Sequence, residues 1–187
     1  GMSMNEMELA EKPALQAFQD IGYDYRPGRE LGPDSDDPER DSLSEVVLRD
    51  RLKSKLREFN PSLPKEAIET AVSKLVGFNS PKLLKNNQNF HQNLIQGVHV
   101  EFEKDGETRG RYVDVLNFDE PEKNDFLVSN QVVIQIGESP QRIPDILVFV
   151  NGLPVSVLEL KDPTNPQASM GYAYKQVTDR YVNDIPD

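Results

Sequence analysis

The run Arg142–Lys161, RIPDILVFVNGLPVSVLELK, decides the fold. Two apolar stretches, Ile146–Val150 and Val155–Leu160, flank Asn151-Gly152, a pair that favours chain reversal. Strands this apolar belong near the middle of a sheet, covered on both faces. Asp145 opens the first strand, and Glu159 and Lys161 close the second. Because strand side chains alternate, Glu159 and Lys161 share a face while Leu158 and Leu160 take the other. A tight Asn-Gly turn would set Asp145 opposite Leu158 and point it away from Glu159. For the two acids to meet, the spacing predicts a three-residue loop or a bulge around Asn151-Gly152-Leu153. Pro154 argues in the same direction.

Acids and lysines are rarely buried without a partner, so the ends of these strands carry a purpose. One reading is chemical. Hydrolysis of a phosphodiester adds charge to an anionic group, and a divalent cation held by two carboxylates activates water and neutralises that charge. Mg²⁺ needs few carboxylates because it keeps several waters. Two bare carboxylates about 4 Å apart would repel by roughly 4 kcal/mol at an effective dielectric of about 20, which a cation or Lys161 relieves. Lys161 would orient the water, help deprotonate it or stabilise the anionic transition state. The other reading is an ion-pair network of Asp145, Glu159 and Lys161 without chemistry, a common origin of such clusters. Spacing alone leaves both open.

Upstream of this run the chain changes period. Residues 5–20 carry Leu9, Leu15 and Phe18 among charges and stop at Gly22, which predicts a helix. Residues 24–41, with Pro27, Gly28, Gly32, Pro33 and Pro38, read as a loop and the segment most open to motion. Ser42-Leu43-Ser44-Glu45 has the form of a capping box ahead of Leu48, Leu52, Leu56 and Phe59. A second helix starts at Pro64 with Ala67, Ile68, Ala71, Val72, Leu75 and Val76 on its apolar face, and Gly77 stops it. A third runs from Ser80-Pro81 to Gly97. From Val98 the alternation is that of a strand, and Lys104-Asp105-Gly106-Glu107 is a turn that leads into a partner strand at Tyr112–Leu116. Phe126–Ile136 reads as one long strand, and Gln167–Val182 as a closing helix. The class is α/β in the α+β sense: a central mixed, antiparallel-rich sheet flanked by helices. We treat residues 1–187 as one domain, mostly helical up to about Gly97 and sheet-rich beyond it.

Composition narrows the function. The 187 residues include 32 acids against 21 bases and no cysteine. Disulfides and thiolate metal sites are therefore excluded, and a reducing cytoplasm suits the chain. No apolar run spans a membrane, and no signal peptide opens the sequence. An acidic average surface repels a polyanion, so any nucleic-acid role rests on a local site. Charge does vary along the chain: Arg49–Lys85 is rich in bases, whereas Asp34–Glu39 is acidic. His91 and His99 are too few for a zinc site. No GxSxG elbow supports serine catalysis, and no GxxxxGK[ST] loop supports nucleotide hydrolysis in this chain.

Pro144-Asp145 and Glu159-Leu160-Lys161 together resemble the signature of PD-(D/E)xK nucleases. The likeness extends to RIPDILVFVNGLPVSVLELKDP, FNPSLP, NFHQNLIQGVHVEF and NDFLVSNQ. Across nearly the whole chain these stretches resemble the N-terminal nuclease domain of the restriction subunit of type I restriction-modification enzymes. The resemblance implies a restriction-endonuclease-like fold and non-specific cleavage of double-stranded DNA. It also implies Mg²⁺, or Mn²⁺ in its place, held by Asp145, Glu159 and the Leu160 carbonyl, with Lys161 as the catalytic lysine. LAEKPALQAFQDIGYDY resembles the family's first helix and offers Glu11 as a further acid; a solvated helix acid is the alternative. A glutamine-tyrosine motif on the closing helix maps to Gln176 and Tyr181, spaced five residues apart where the family has four. That difference rotates Tyr181 by about 100° on a helix, so Gln176 is the direct carry-over. Arg180 on the same helix is a phosphate contact or an ordinary exposed arginine.

The resemblance further implies an N-terminal fragment of a longer ATP-dependent translocase, with ATP used only in the missing part. Methyltransferase and specificity subunits would be partners. The acidic balance itself predicts weak DNA affinity of the domain alone. A different class of function remains open: a catalytically silent nuclease fold that docks or couples the motor and partner subunits.

Overall fold

The computed structural model describes residues 4–77 and 88–160. Lys161, Gln176, Arg180, Tyr181 and the closing helix therefore lie outside the described residues, as does the expected start of the third helix at Ser80. The described chain forms two compact units. One takes residues 4–46, 126–150 and 154–160, and the other 47–77, 88–125 and 151–153. Each unit mixes helix and strand.

The first unit begins with α1 (Met4–Asp20). Its buried positions Glu11, Ala14, Leu15 and Phe18 recur at helical spacing, so one carboxylate sits within an otherwise apolar stripe. Gly22, at φ +104°, turns the chain. Phe18, Tyr23 and Phe126 then pack in sequence, edge-on and tilted, with centroids 5.1 and 5.2 Å apart. The segment expected to be loop contains β1 (Asp24–Tyr25) and α2 (Gly28–Leu31). Beyond α2 the chain is tied down by two arginines. Arg26 reaches Glu39 at 2.5 Å and the Asp37 carbonyl at 2.8 Å. Arg40, 2% exposed, donates to the Glu45 and Leu43 carbonyls.

The sheet of this unit runs β1-β4-β5-β6, with β4 (Phe126–Asn130), β5 (Ile146–Val150) and β6 (Leu153–Leu158). It is mixed: β1 pairs parallel with β4, and β4 antiparallel with β5. Every residue of β5 is buried, as expected of a central strand. The structure corrects three expectations about this sheet. The strand from Phe126 ends at Asn130 because Gln131 takes φ +55°, and between it and β5 stands only an isolated bridge, Ile134 to Arg142. The last strand starts at Leu153, and Pro154 is accommodated because β6 is the outer strand among the described residues. The connection is the two-residue turn Asn151-Gly152, both at positive φ (51° and 79°), where a three-residue loop was expected.

The second unit packs α3 (Arg49–Phe59), α4 (Lys65–Val76) and α5 (Gln88–Gln96) with the hairpin β2 (Val98–Lys104) and β3 (Glu107–Val113). The capping box is not formed: α3 starts at Arg49, and the Ser42 hydroxyl pairs with that of Ser44 at 2.9 Å. α4 starts at Lys65, with Pro64 extended at the cap position one residue before the expected first turn, and Gly77 ends it in a right-handed conformation. β3 begins at Glu107, earlier than the sequence suggested, because Asp105 and Gly106 close a two-residue turn at φ 54° and 79°. Asn60 joins the end of α3 to the chain after β3 through both its amide atoms. Asn151 and Gly152 pack into this unit. The Asn151 amide donates to the carbonyl of Val115 and to Asn124, and accepts from the Asp125 N–H at 2.7 Å.

Candidate active site

A two-residue turn fixes what its hairpin presents at the far end. Asp145 immediately precedes β5 and Glu159 immediately follows β6, so both acids sit at the open end of the hairpin. They lie just beyond the regular ladder, where strict alternation no longer sets direction. Asp145 is half-buried and Glu159 is exposed. The Asp145 side chain crosses to the neighbouring arm, where its Oδ2 accepts the Leu160 N–H at 2.8 Å. Its Oδ1 accepts no hydrogen bond among the described residues. This bond brings Asp145 against the backbone that carries Glu159 and the Leu160 carbonyl.

On its other side Asp145 faces the end of β4. Asn130 is the partner of Ile146, and the Gln131 N–H donates to the Asp145 carbonyl at 3.3 Å. Those same two residues hold Glu11. The Asn130 amide donates to Glu11 Oε2 at 3.0 Å, and the Gln131 amide donates to Oε1. Glu11 is 5% exposed. Burial pushes its carboxyl above the usual range; the two amide bonds pull it down, and the nearby charge of Asp145 pushes it up again. The structure thus brings Glu11 towards Asp145 and removes it from solvent, unlike an ordinary surface acid of a helix.

Glu11, Lys12, Tyr25, Arg29, Asn130 and Gln131 border an open cleft of about 720 Å³. Lys12 and Arg29 are exposed and make no ion pair among the described residues. The Tyr25 hydroxyl donates to Asn130 Oδ1 at 2.8 Å. Burial holds its pKa above the ordinary value, with the Arg29 charge opposing. Sequence reasoning about spacing did not single out Tyr25, Asn130 or Gln131. An amide pair at a strand end has no periodic signal, and a positive φ at glutamine has no residue code.

The donors at this end are all oxygen: carboxylates of different exposure and a backbone carbonyl. That set suits a hard cation such as Mg²⁺ or Mn²⁺, and the push of Asp145 on the Glu11 carboxyl is the repulsion a cation would relieve. Among the described residues no three His, Cys, Asp or Glu side chains stand close enough to ligate one ion together. The fit is therefore with few protein ligands and several waters. His99 packs edge-to-face on Tyr112 in the second unit, with centroids 5.1 Å apart, and His91 likewise on Phe90, consistent with packing roles for both.

A mixed α/β unit whose β5–β6 hairpin opens onto acidic side chains has the architecture of a nuclease-like fold. Comparison with known proteins narrows that class. A family profile described as "Type I restriction enzyme R protein N terminus" matches residues 3–187. The HindI type I restriction enzyme endonuclease subunit of Haemophilus influenzae is 34% identical over 98% of this chain, which corresponds to 17% of that protein. The putative type I restriction enzyme MjaIXP endonuclease subunit of Methanocaldococcus jannaschii is 32% identical over 89% of this chain and 16% of its own length. The chain belongs to the family of type I restriction enzyme R-subunit N-terminal domains. It spans less than a fifth of the length of these relatives.

Proposed function

We propose that this domain is the Mg²⁺-dependent endonuclease centre of a type I restriction enzyme, hydrolysing phosphodiester bonds of double-stranded DNA without sequence choice of its own. The observation that carries the reading is the open end of the β5–β6 hairpin. There Asp145, bonded to the Leu160 N–H, lies between the backbone of Glu159 and the buried Glu11. Asp145, Glu159 and the Leu160 carbonyl would hold the cation, with Mn²⁺ a substitute. When bound, the cation would supply charge neutralisation and an acidified water.

The chain's own groups divide the remaining work. Asp145 spends one oxygen on the Leu160 N–H and keeps the other for the centre, so its position is fixed before any ligand arrives. Lys161 would orient the attacking water and stabilise charge on the phosphate. Gln176 and Tyr181 would support the site from the closing segment. Lys12 and Arg29 along the cleft supply positive charge where the average surface is acidic. Motor activity driven by ATP, and assembly with methyltransferase and specificity subunits in the cytoplasm, would belong to the full protein. Among the described residues no helix is long and apolar enough to cross a membrane.

The test is Asp145→Ala in the full-length subunit assembled with its partners. Cleavage should fall by at least about a hundredfold, while ATP hydrolysis by the same preparation stays at the wild-type level. Cleavage retained at the wild-type rate would overturn the catalytic reading and leave a docking module.

A further inference from the structure

Consecutive side chains on a regular strand leave on opposite faces. At the end of β4 they do not: Asn130 and Gln131, adjacent in sequence, both reach one carboxylate. The left-handed backbone of Gln131, φ +55°, is what allows it. That conformation is strained for a non-glycine residue, and such strain persists only where its surroundings enforce it. Here they do. The Gly28 backbone lies so close that a Cβ on it would meet the Asn130 carbonyl oxygen at 2.4 Å and the Gln131 carbonyl carbon at 2.7 Å. Tyr25 adds a second constraint. By donating to Asn130 Oδ1 it fixes which end of that amide faces Glu11, so an N–H and not an oxygen meets the carboxylate.

We propose that Asn130 and Gln131 are positioning residues: a two-amide clamp, keyed by Tyr25, that holds Glu11 as an outer-shell acid of the cation centre beside Asp145. The inference deepens the reading above and rests on it. Each Glu11 oxygen receives one amide bond and retains lone-pair capacity for a water. Amides are the apt donors. A lysine or arginine in their place would neutralise Glu11 and repel a divalent ion, whereas a neutral N–H orients the carboxylate and leaves its charge intact. The outer-shell assignment follows from the absence of a three-acid ligating group among the described residues. Mg²⁺ keeps several of its waters, and a fixed carboxylate beside them tunes affinity as second-layer partners do at other metal centres.

The experiment uses the full-length subunit and reads Mn²⁺ affinity by electron paramagnetic resonance, alongside the Mg²⁺ dependence of cleavage by the assembled enzyme. Asn130→Ala and Gln131→Ala should each weaken Mn²⁺ binding by about tenfold, and Tyr25→Phe by about threefold. Gln131→Gly separates the amide from the backbone: glycine accepts the positive φ, so the bend is kept while the donor is lost. It should match the loss seen in Gln131→Ala. Wild-type Mn²⁺ affinity in Gln131→Gly and Tyr25→Phe would overturn the clamp, even if Asn130→Ala fails to fold. Asp145→Ala keeps the two failures apart. If it loses Mn²⁺ while the clamp variants do not, only the clamp is wrong. If it too binds Mn²⁺ and cleaves as wild type, the reading beneath the clamp falls.

Discussion

The two ends of the β5–β6 hairpin are built for opposite purposes. At the turn, Asn151 and Gly152 are fully buried and their polar groups are matched. A Cβ on Gly152 would meet the Leu48 carbonyl oxygen at 2.4 Å and the Leu52 nitrogen at 2.9 Å. At the open end, the Glu11 carboxylate is buried beside the charge of Asp145 with its pKa raised, and one oxygen of Asp145 has no hydrogen bond among the described residues. The turn end satisfies its buried polar groups, and the open end departs from that rule. The β2–β3 turn sharpens the contrast. Asp105-Gly106 has nearly the same backbone as Asn151-Gly152, yet nothing lies within 4 Å of a Cβ placed on Gly106.

Substitutions separate these roles. Gly152→Ala combines a positive φ with a backbone clash and should cost at least about 3 kcal/mol, read as the shift in urea unfolding of the full chain. Gly106→Ala carries only the conformational cost, about 1 kcal/mol. Equal losses at the two glycines would refute the packed turn.

The smallest effect lies at the open end and appears as pH dependence. The folded pKa of Glu11 is raised above its ordinary value of 4.5. Between that value and the raised one, the folded state binds more protons than the unfolded state, so stability falls as pH rises through the window. Above it the penalty is constant. Glu11→Gln should remove this decline, seen as a flatter plot of unfolding free energy against pH. An unchanged slope would mean that Glu11 is not perturbed by burial and Asp145.

Much of this architecture was legible in the sequence where periodicity and packing agree. The buried stripe of α4, the β5 run and the Asp-Gly reversal are all set by local pattern. The placement of Asp145 and Glu159 at the strand ends was legible too, since both flank uninterrupted apolar runs. What escaped depends on distant partners. The turn expected to need three residues has two, because the parity argument assumed that Asp145 and Glu159 stay within the ladder. They stand just outside it, and the Asp145 side chain is directed by the Leu160 N–H. The long strand from Phe126 stops early because Gln131 is bent against Gly28, a contact with no local signature. Ser42 has no capping role because bends and a turn separate it from α3, which starts only after Leu48, whose N–H bonds the Gly152 carbonyl at 2.8 Å.

The most direct measurement of the central claim is a crystal of this domain soaked in Mn²⁺, with the anomalous signal located. The account predicts a peak between the Asp145 and Glu159 carboxylates, next to the Leu160 carbonyl, with Glu11 reaching the ion's waters. Carboxylates directed to opposite faces of the sheet, with no anomalous peak between them, would contradict it.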